Sequence, residues 1–514
     1  MTNNQKNSPP KPKILAKKIG FWTLYKKFKF EVIRHFLITT VWTVLLTFVI
    51  ATVSNIIEKE LTNGNYSTVL PKKLQKFFPN LTLKQFALWG LILIGLFALT
   101  FYFSSLWEEE LRIKGGHYTK NVLLDKFRQL PLEEKQARQK EINTLVELDS
   151  GEIGHYWEHI PNHVYHSTLT IILLIWIKWG EFSQMGTKEA VFSFGWLLLI
   201  NIVSFFFTKL ILRNDKKYKR ELTKEWAMQK KETNQAILID SMGLTSQYRT
   251  KQKKISKKNE NLLFSFNSTK SLNKTIPHRW LAEMFPYLLL FVSGVFEVAQ
   301  KNLLGMWFIF ENFGEIFECF WDYADYSSSK ERINNFLALP EKNDNLEKIK
   351  LEQDIKIKSI VYENVSFRYQ GQKEWVVKNY NRTFTSAKIN RLTGKNGSGK
   401  STILYLLLGM IIPQKGKIII EDERGNSYNL HQDINLRHWR ENNVAYCAHD
   451  TLIEEGSTGQ KQLANINQVL EQKKQAQIFL FDEADNALDQ DNQEKFQERI
   501  KELAKNKLVV YIKH

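Results

Sequence analysis

One short stretch restricts the fold more than any other: residues 391–402, which read RLTGKNGSGKST. An apolar segment enters this glycine-rich loop, and the apolar helical pattern ILYLLLGM follows it. The order strand, loop, helix is typical of a phosphate-binding loop, in which glycines let backbone N–H groups surround phosphates at a helix N-terminus. The predicted phosphate-binding residues are Gly394, Lys395, Asn396, Gly397, Ser398, Gly399, Lys400, Ser401 and Thr402.

A second motif lies about eighty residues further on, where the apolar run IFLF ends in Asp482 and Glu483. A carboxylate at such a strand end can hold Mg²⁺, and its neighbour can orient or deprotonate an attacking water. We therefore predict that Ser401 and Asp482 hold the metal and that Glu483 is catalytic. ATP and Mg²⁺ are the predicted cofactors.

The first two-thirds of the chain contains uncharged apolar stretches that are long enough to cross a bilayer as helices. Six spans are predicted: 36–57, 86–107, 163–177, 190–208 and two within 284–321. The third and fourth of these spans are shorter than the first two, and acidic residues interrupt the last one. Strand-like and helical segments alternate from residue 355 onward, which indicates a mixed α/β nucleotide-binding domain.

The formal charge of +18 is concentrated in residues 1–34, with nine Lys/Arg against one acid, and in residues 213–280, with seventeen against six. Because these basic segments flank apolar ones, they indicate cytoplasmic loops facing an anionic bilayer leaflet rather than a nucleic-acid partner. The N-terminus and the nucleotide-binding domain are then predicted to be cytoplasmic. The two cysteines, Cys319 and Cys447, lie far apart and provide no disulfide framework.

The predicted domain organisation has four parts. A basic disordered segment (1–19) precedes a six-helix transmembrane domain (20–325). A linker (326–354) then leads to a nucleotide-binding domain (355–514). The predicted fold class is therefore a multi-pass α-helical membrane domain joined to an α/β P-loop domain.

Residues 357–514, together with the segment ADYSSSKERINNFLALPE, resemble the ABC transporter family, in particular exporter-type half-transporters with fused membrane and ATPase domains. The resemblance implies that Tyr369 stacks on adenine. It identifies FDEADNALD as the metal-binding strand followed by the D-loop, which ends at Asp489. It also implies that His514 is the catalytic switch histidine that contacts the γ-phosphate.

The segment GSTGQKQ occupies the position of the family's signature loop, LSGGQ. In the family this loop caps the ATP of the second subunit, so Ser457, Gly459 and Gln460 are predicted nucleotide-binding residues of a dimer. The partner is a second half-transporter, identical or different. Thr458 replaces the first glycine of the motif, and a β-branched residue adopts a positive φ poorly.

Two further departures concern the segment before the signature loop. His449 stands where the family has the Q-loop glutamine, which binds Mg²⁺ and relays contact to the membrane domain. A neutral imidazole can contact the metal or its water, so His449 is a predicted catalytic residue. Ser457 follows His449 by only eight positions, so the helical subdomain that the family has there is predicted to be largely missing.

The resemblance implies ATP-driven transport of an unidentified substrate across the cell membrane, in the export direction. The alternative is an ATP-binding but weakly hydrolysing partner subunit of a heterodimer. His449 and the altered signature loop favour the alternative, whereas Glu483 and His514 oppose it. Coupling helices are expected within 145–160 and 235–250.

Four carboxylates of the last predicted span share one helix face: Glu311, Glu315, Glu318 and Asp322. One hypothesis is that they line a pathway for cationic or polar cargo. The other is that they are solvated or paired with lysines of 213–281.

Overall fold

The computed structural model describes residues 18–58, 81–177, 179, 187–234, 245–273, 275–276, 296–352, 355–395, 397–448, 453 and 456–513. The chain divides into two compact units. The first unit comprises Met1–Arg128 and Arg138–Leu339, and the second unit comprises Gln129–Ala137 and Pro340–His514.

Nearly all described residues of the first unit are helical, as its long apolar stretches predict, and the first residues of α4 belong to the second unit. A π-helical turn, Leu145–Asp149, joins two of its helices. The helices are α1 (Phe21–Lys27), α2 (Lys29–Glu58), α3 (Leu83–Gln129), α4 (Leu132–Thr144), α5 (Ser150–Ile177), α6 (Thr187–Asn234), α7 (Thr245–Asn273) and α8 (Phe296–Leu337).

Among the described residues, three helical segments are long and apolar enough to cross a membrane: Lys29–Thr52, Leu83–Gln129 and Leu132–Ile177. The predicted spans 36–57, 86–107, 163–177 and 190–208 lie in α2, α3, α5 and α6. Part of the region 284–321 lies outside the described residues, so the count of six remains a prediction.

The predicted domain boundaries at residues 19 and 325 remain predictions. The helix α8 continues past residue 325 to Leu337, because no proline interrupts the helical pattern before Pro340. The first segment was expected to be disordered through residue 19, yet Ile19 is buried and its backbone N–H donates to Asn334 Oδ1 at 2.7 Å. Residues 1–17 lie outside the described part.

The second unit contains two four-stranded sheets, with strand orders β2-β1-β4-β5 and β3-β8-β7-β6. The first sheet is antiparallel, and the second is parallel. In the second sheet, Ile512 lies opposite Leu392 on one neighbouring strand and opposite Asp482 on the other. The strands are β1 (Ile357–Phe367), β2 (Val377–Thr385), β3 (Ile389–Leu392), β4 (Lys415–Asp422), β5 (Ser427–Asn429), β6 (Val444–Cys447), β7 (Ile478–Asp482) and β8 (Leu508–Ile512).

Seven of these strands coincide with the strand-like runs of the sequence, and only the three-residue β5 was missed. Every residue of β7 and β8 is buried, as expected for central parallel strands that are covered on both faces. The main helices are α9 (Lys400–Leu407), α10 (Thr458–Gln472) and α11 (Gln490–Ala504). The predicted α/β architecture is confirmed.

Candidate functional site

The phosphate-binding loop connects β3 to α9, as the sequence predicts. Gly394, Gly397 and Gly399 have positive φ values of 157°, 78° and 86°. A Cβ atom on Gly399 would lie 2.8 Å from the backbone oxygen of Val376, so both conformation and space require glycine there. Asn396 lies outside the described residues.

Lys400 places its ammonium group inside this loop. Its Nζ donates to the carbonyl oxygens of Gly394 at 2.7 Å and Lys395 at 3.3 Å. The backbone N–H groups at the start of α9 add the partial positive charge of a helix N-terminus. The adjoining cavity has a volume of about 440 Å³ and is lined by Val376, Gly397, Ser398, Gly399, Lys400, Ser401, Thr402 and Glu483.

Asp482, at the end of β7, is buried and lies beside Ser401. The Ser401 hydroxyl donates to Asp482 Oδ1 at 3.4 Å, and the Tyr446 hydroxyl donates to Oδ2 at 3.2 Å. Burial and the neighbouring Asp482 carboxylate raise the pKa of Tyr446 well above its usual range, so the phenol remains a neutral donor. A hydroxyl and a carboxylate are hard oxygen ligands, and this pair fits Mg²⁺.

Glu483 follows β7 and lines the same cavity. Its φ is 54°, which is uncommon for a non-glycine residue, and its backbone N–H donates to the Ile512 oxygen at 3.2 Å. One carboxylate oxygen accepts from Asn486 Nδ2 at 3.1 Å. The structure therefore brings the predicted metal ligand and the predicted base together at the phosphate-binding loop.

Tyr369 follows β1 and approaches the same loop. Its hydroxyl lies 3.3 Å from the Thr402 hydroxyl, and its ring packs edge-on against Phe367 at a centroid distance of 5.0 Å. These contacts fix the aromatic ring next to the first turn of α9. The position fits the predicted contact with adenine.

The signature residues and the D-loop form a second group, which contributes nothing to the cavity lining given above. Ser457 caps α10: its Oγ accepts from the Gln460 N–H at 3.4 Å, and the Gln460 side chain accepts from the Ser457 N–H at 3.0 Å. Gly459 touches the D-loop, since a Cβ there would lie 2.7 Å from the Ala487 oxygen. Asp489 caps α11 by accepting from the Asn492 N–H at 2.9 Å.

The backbone strain expected from a β-branched residue with positive φ at Thr458 is not present. Thr458 is the first residue of α10 and is not among the described residues with positive φ. The positive φ falls instead on Gly456, at 103°. The side chain at position 458 therefore imposes no strain on the backbone.

Only ten residues separate the end of β6 at Cys447 from the start of α10 at Thr458. This length leaves no room for a separate helical subdomain between them. The Gln462 side chain bonds to the Ala448 oxygen at 3.3 Å, which ties α10 to the end of β6. His449 and His514 both lie outside the described residues, so their roles remain predictions.

Two features were missed by sequence reasoning. Tyr446 binds Asp482, and a tyrosine one position before the end of β6 was the available signal. The second unit also includes Gln129–Ala137, whose Gln129 oxygen accepts from the Lys342 N–H at 2.8 Å. The coupling helices expected within 145–160 and 235–250 remain predictions: the first range forms the π-helical turn and the beginning of α5, and residues 235–244 lie outside the described part.

Two of the four carboxylates in the predicted stripe of α8 contact α5. Glu315 accepts from the Ser167 hydroxyl at 2.8 Å, and Asp322 Oδ2 lies 3.7 Å from His159 Nε2. The side chains of Glu311 and Glu318 lie outside the described set.

Comparison with known proteins supports the fold. Residues 377–506 match the model of the ABC transporter family. The chain is 28% identical over 238 residues to the ATP-dependent lipid A-core flippase of Haemophilus influenzae, covering 37% of this chain and 40% of that protein. It is 34% identical over 128 residues to multidrug resistance protein 1 of Plasmodium falciparum, covering 25% of this chain and 8% of that protein.

A bacterial Atm1-family ABC exporter solved with ATP bound has a similar fold, with a TM-score of 0.75 and 14% identity. The match covers 96% of this chain and 91% of that one. At this identity the likeness concerns the fold alone, and the chain spans two-fifths or less of the length of the curated relatives named above. The predicted resemblance is confirmed: residues 377–506 match an ABC transporter ATPase domain, and the whole chain shares the fold of that ABC exporter.

Proposed function

We propose that this protein is a half-transporter that uses ATP hydrolysis to move a substrate across the cell membrane. One observation carries the proposal: the phosphate-binding loop, Asp482 beside Ser401, and Glu483 all meet at one cavity. Relatives named as a flippase and as an exporter favour transport out of the cytoplasm. The N-terminus and the second unit would then be cytoplasmic.

The residues suggest a division of tasks in hydrolysis. Lys400 and the N-terminus of α9 neutralise the phosphates, and Tyr369 holds the adenine. Ser401 and Asp482 would hold Mg²⁺, which would supply positive charge to neutralise the phosphates. Glu483 would orient the attacking water and accept its proton. His449 would contact the metal, and His514 would contact the γ-phosphate.

The signature group supports a dimer. Ser457, Gly459 and Gln460 contribute nothing to the lining of their own chain's cavity, as expected if they complete the site of a second half-transporter. The partner is a second copy or a related chain.

Glu315 and Asp322 face α5 and would favour cationic or polar cargo, because carboxylates at membrane depth are costly unless they serve a pathway or a partner.

The test is ATP turnover by the purified full-length chain in lipid nanodiscs. Glu483→Gln should reduce turnover by at least about a hundredfold while ATP binding persists, because general-base catalysis typically contributes that much. Glu471→Gln, on the exposed surface of α10, should leave turnover unchanged.

The variants also separate the proposal from its alternative. A lone chain that binds ATP but has no turnover above that of Glu483→Gln would favour the weakly hydrolysing partner subunit. Turnover that survives Glu483→Gln at the wild-type rate would refute the role assigned to Glu483.

A further inference from the structure

A group of potential metal ligands lies in the first unit, whereas the nucleotide site lies in the second. Glu108 of α3 and His159 and His163 of α5 each direct one ligand atom toward the others, and these atoms all lie within 4.8 Å of one another. Such a spacing requires only small side-chain adjustments to place two imidazole nitrogens and a carboxylate oxygen around one ion.

The sequence creates this arrangement through helical periodicity. His155, His159 and His163 recur every four residues, so their rings line one face of α5. The ring centroids of His155 and His159 are 5.2 Å apart, and those of His159 and His163 are 4.0 Å apart. Glu108 is the first charged residue after the apolar segment 86–107.

We propose that Glu108, His159 and His163 form a binding site for a divalent transition-metal ion of the Zn²⁺ class, which bridges α3 and α5. Two imidazoles and one carboxylate suit Zn²⁺ and its neighbours, whereas Mg²⁺ and Ca²⁺ prefer sites built from oxygen alone. Three protein ligands leave a fourth position for water or another donor.

A second carboxylate is placed to orient the central ligand. Nδ1 of His159 lies 2.8 Å from Glu108 Oε1, and Nε2 lies 3.7 Å from Asp322 Oδ2 of α8. If Nδ1 binds the ion, the Nε2–H group points toward Asp322. Metal-bound histidines almost always donate their other N–H to such a partner, which fixes the ring and raises its basicity.

Exposure distinguishes this cluster from an ordinary buried ion pair. The side chains of His159 and Glu108 are 23% and 31% exposed, so their ligand atoms are not sealed within the helix packing. The neighbouring pair of His35 and Glu158, with Nε2 and Oε1 3.0 Å apart, is 0% and 1% exposed and is closed to solvent. Of these two neighbouring His–carboxylate contacts, only the first has both the ligands and the access that a metal site requires.

The proposal is tested by metal binding to the full-length chain, purified with a tag that lacks histidine, stripped with a chelator and kept free of nucleotide. Equilibrium dialysis with Zn²⁺ should give one tight site per chain. Co²⁺ should produce the visible absorption of a site with nitrogen and oxygen ligands in low coordination number. A chain that binds no Zn²⁺ would overturn the proposal.

Variants locate the site. His159→Ala and His163→Ala should each abolish the tight site and the Co²⁺ spectrum. Glu108→Gln retains shape and hydrogen bonding but loses the anionic ligand, so it should weaken Zn²⁺ binding strongly even if an alanine variant fails to fold. Asp322→Asn should weaken binding by about ten- to a hundredfold, as other orienting partners do.

Two controls make the result specific. His117→Ala removes an exposed histidine of α3 and should leave Zn²⁺ binding unchanged. Glu483→Gln should also bind Zn²⁺ like the wild type, because the site does not depend on ATP hydrolysis. Tight Zn²⁺ binding that survives in both His159→Ala and Glu108→Gln would place the ion elsewhere and refute the proposal.

Discussion

The two units of this chain bury different chemistry. The large core cluster of the second unit is aliphatic and aromatic, with Trp439, Tyr362 and Phe384 at or below 1% exposure. The first unit instead buries a charged network around Lys219, whose ammonium contacts Glu152 at 2.5 Å, Asp215 at 3.2 Å and the Ser329 hydroxyl at 3.0 Å.

The network of the first unit connects three helices and extends to a second cation. Ser329 donates to Asp149 Oδ1 at 2.8 Å, and Arg332 contacts Asp149 Oδ2 at 3.1 Å. An apolar core tolerates changes that preserve volume, whereas a buried ion network depends on every member because each one compensates the others. Buried charge pairs therefore link α5, α6 and α8 in addition to their apolar contacts, whereas the main core of the second unit is held by apolar packing.

The strongest test of this contrast is Lys219→Met. The substitution keeps an extended side chain but leaves Glu152 and Asp215 without their shared cation, so the free energy of unfolding should fall by about 3–5 kcal/mol. The measurement is thermal or denaturant unfolding of the full-length chain in nanodiscs.

Lys216→Met, three positions earlier on α6, is the matched control for Lys219→Met. Lys216 pairs with Glu331 at 2.7 Å, but both side chains are more than half exposed. Its removal should cost less than about 1 kcal/mol. Equal effects of the two variants would show that burial of the network does not matter.

The ring of His431 is a titratable group of the second unit whose pKa is set by its surroundings. Its Nε2 lies 3.1 Å from the Ile411 oxygen, its Nδ1 is buried, and burial lowers its pKa from 6.5 to about 4. Between these values the unfolded chain binds more protons, so stability is complete above about pH 6.5 and decreases as the pH falls toward about 4, by about 3 kcal/mol in total.

Hydrogen exchange of the segment around His431 in the full-length chain would measure this loss. His431→Gln should flatten the pH dependence of the opening free energy. His438→Gln should flatten it less, because His438 is less buried and its pKa is lowered to a smaller degree. If neither variant changes the pH dependence, acid lability originates in other groups.

The sequence predicts the second unit far better than the first, because the patterns that define the second unit are local in sequence and the contacts that join the helices of the first unit are not. The strand patterns and the glycine spacing at 394–399 are local, and they correctly indicated seven strands and the meeting of Ser401, Asp482 and Glu483. Glu152 and Ser329 contact Lys219 from other helices, and Glu108 and Asp322 contact His159 from other helices, at sequence separations that no periodicity reveals. The helix N-terminus at Thr458 was misjudged because a motif position does not specify its φ.

A smaller effect tests how closely the helices of the first unit pack. Gly154 of α5 faces α3, and a Cβ there would lie 2.6 Å from the Arg112 oxygen and 2.7 Å from the Gly116 nitrogen. Gly154→Ala should therefore cost about 1–3 kcal/mol of unfolding free energy through overpacking against backbone.

Gly151, one turn earlier on α5, has no atom within 4 Å of a Cβ position. Gly151→Ala should stabilise the chain by up to about 1 kcal/mol, because alanine loses less backbone entropy in a helix. If Gly154→Ala is as stable as Gly151→Ala, charge pairing alone sets the spacing of these helices, and the contrast between the two units becomes sharper.

The smallest change in stability, and the one that bears most directly on function, is expected for Thr458→Gly. Thr458 already has helical φ, so glycine should lower the free energy of unfolding by no more than about 1 kcal/mol. It would remove the side chain that limits approach to the N-terminus of α10, so ATP turnover should rise. Ala464→Gly loosens the same helix on its exposed surface. A rise in turnover for Thr458→Gly but not for Ala464→Gly would show that side-chain bulk at the signature loop, and not helix stability, limits the second half of the site.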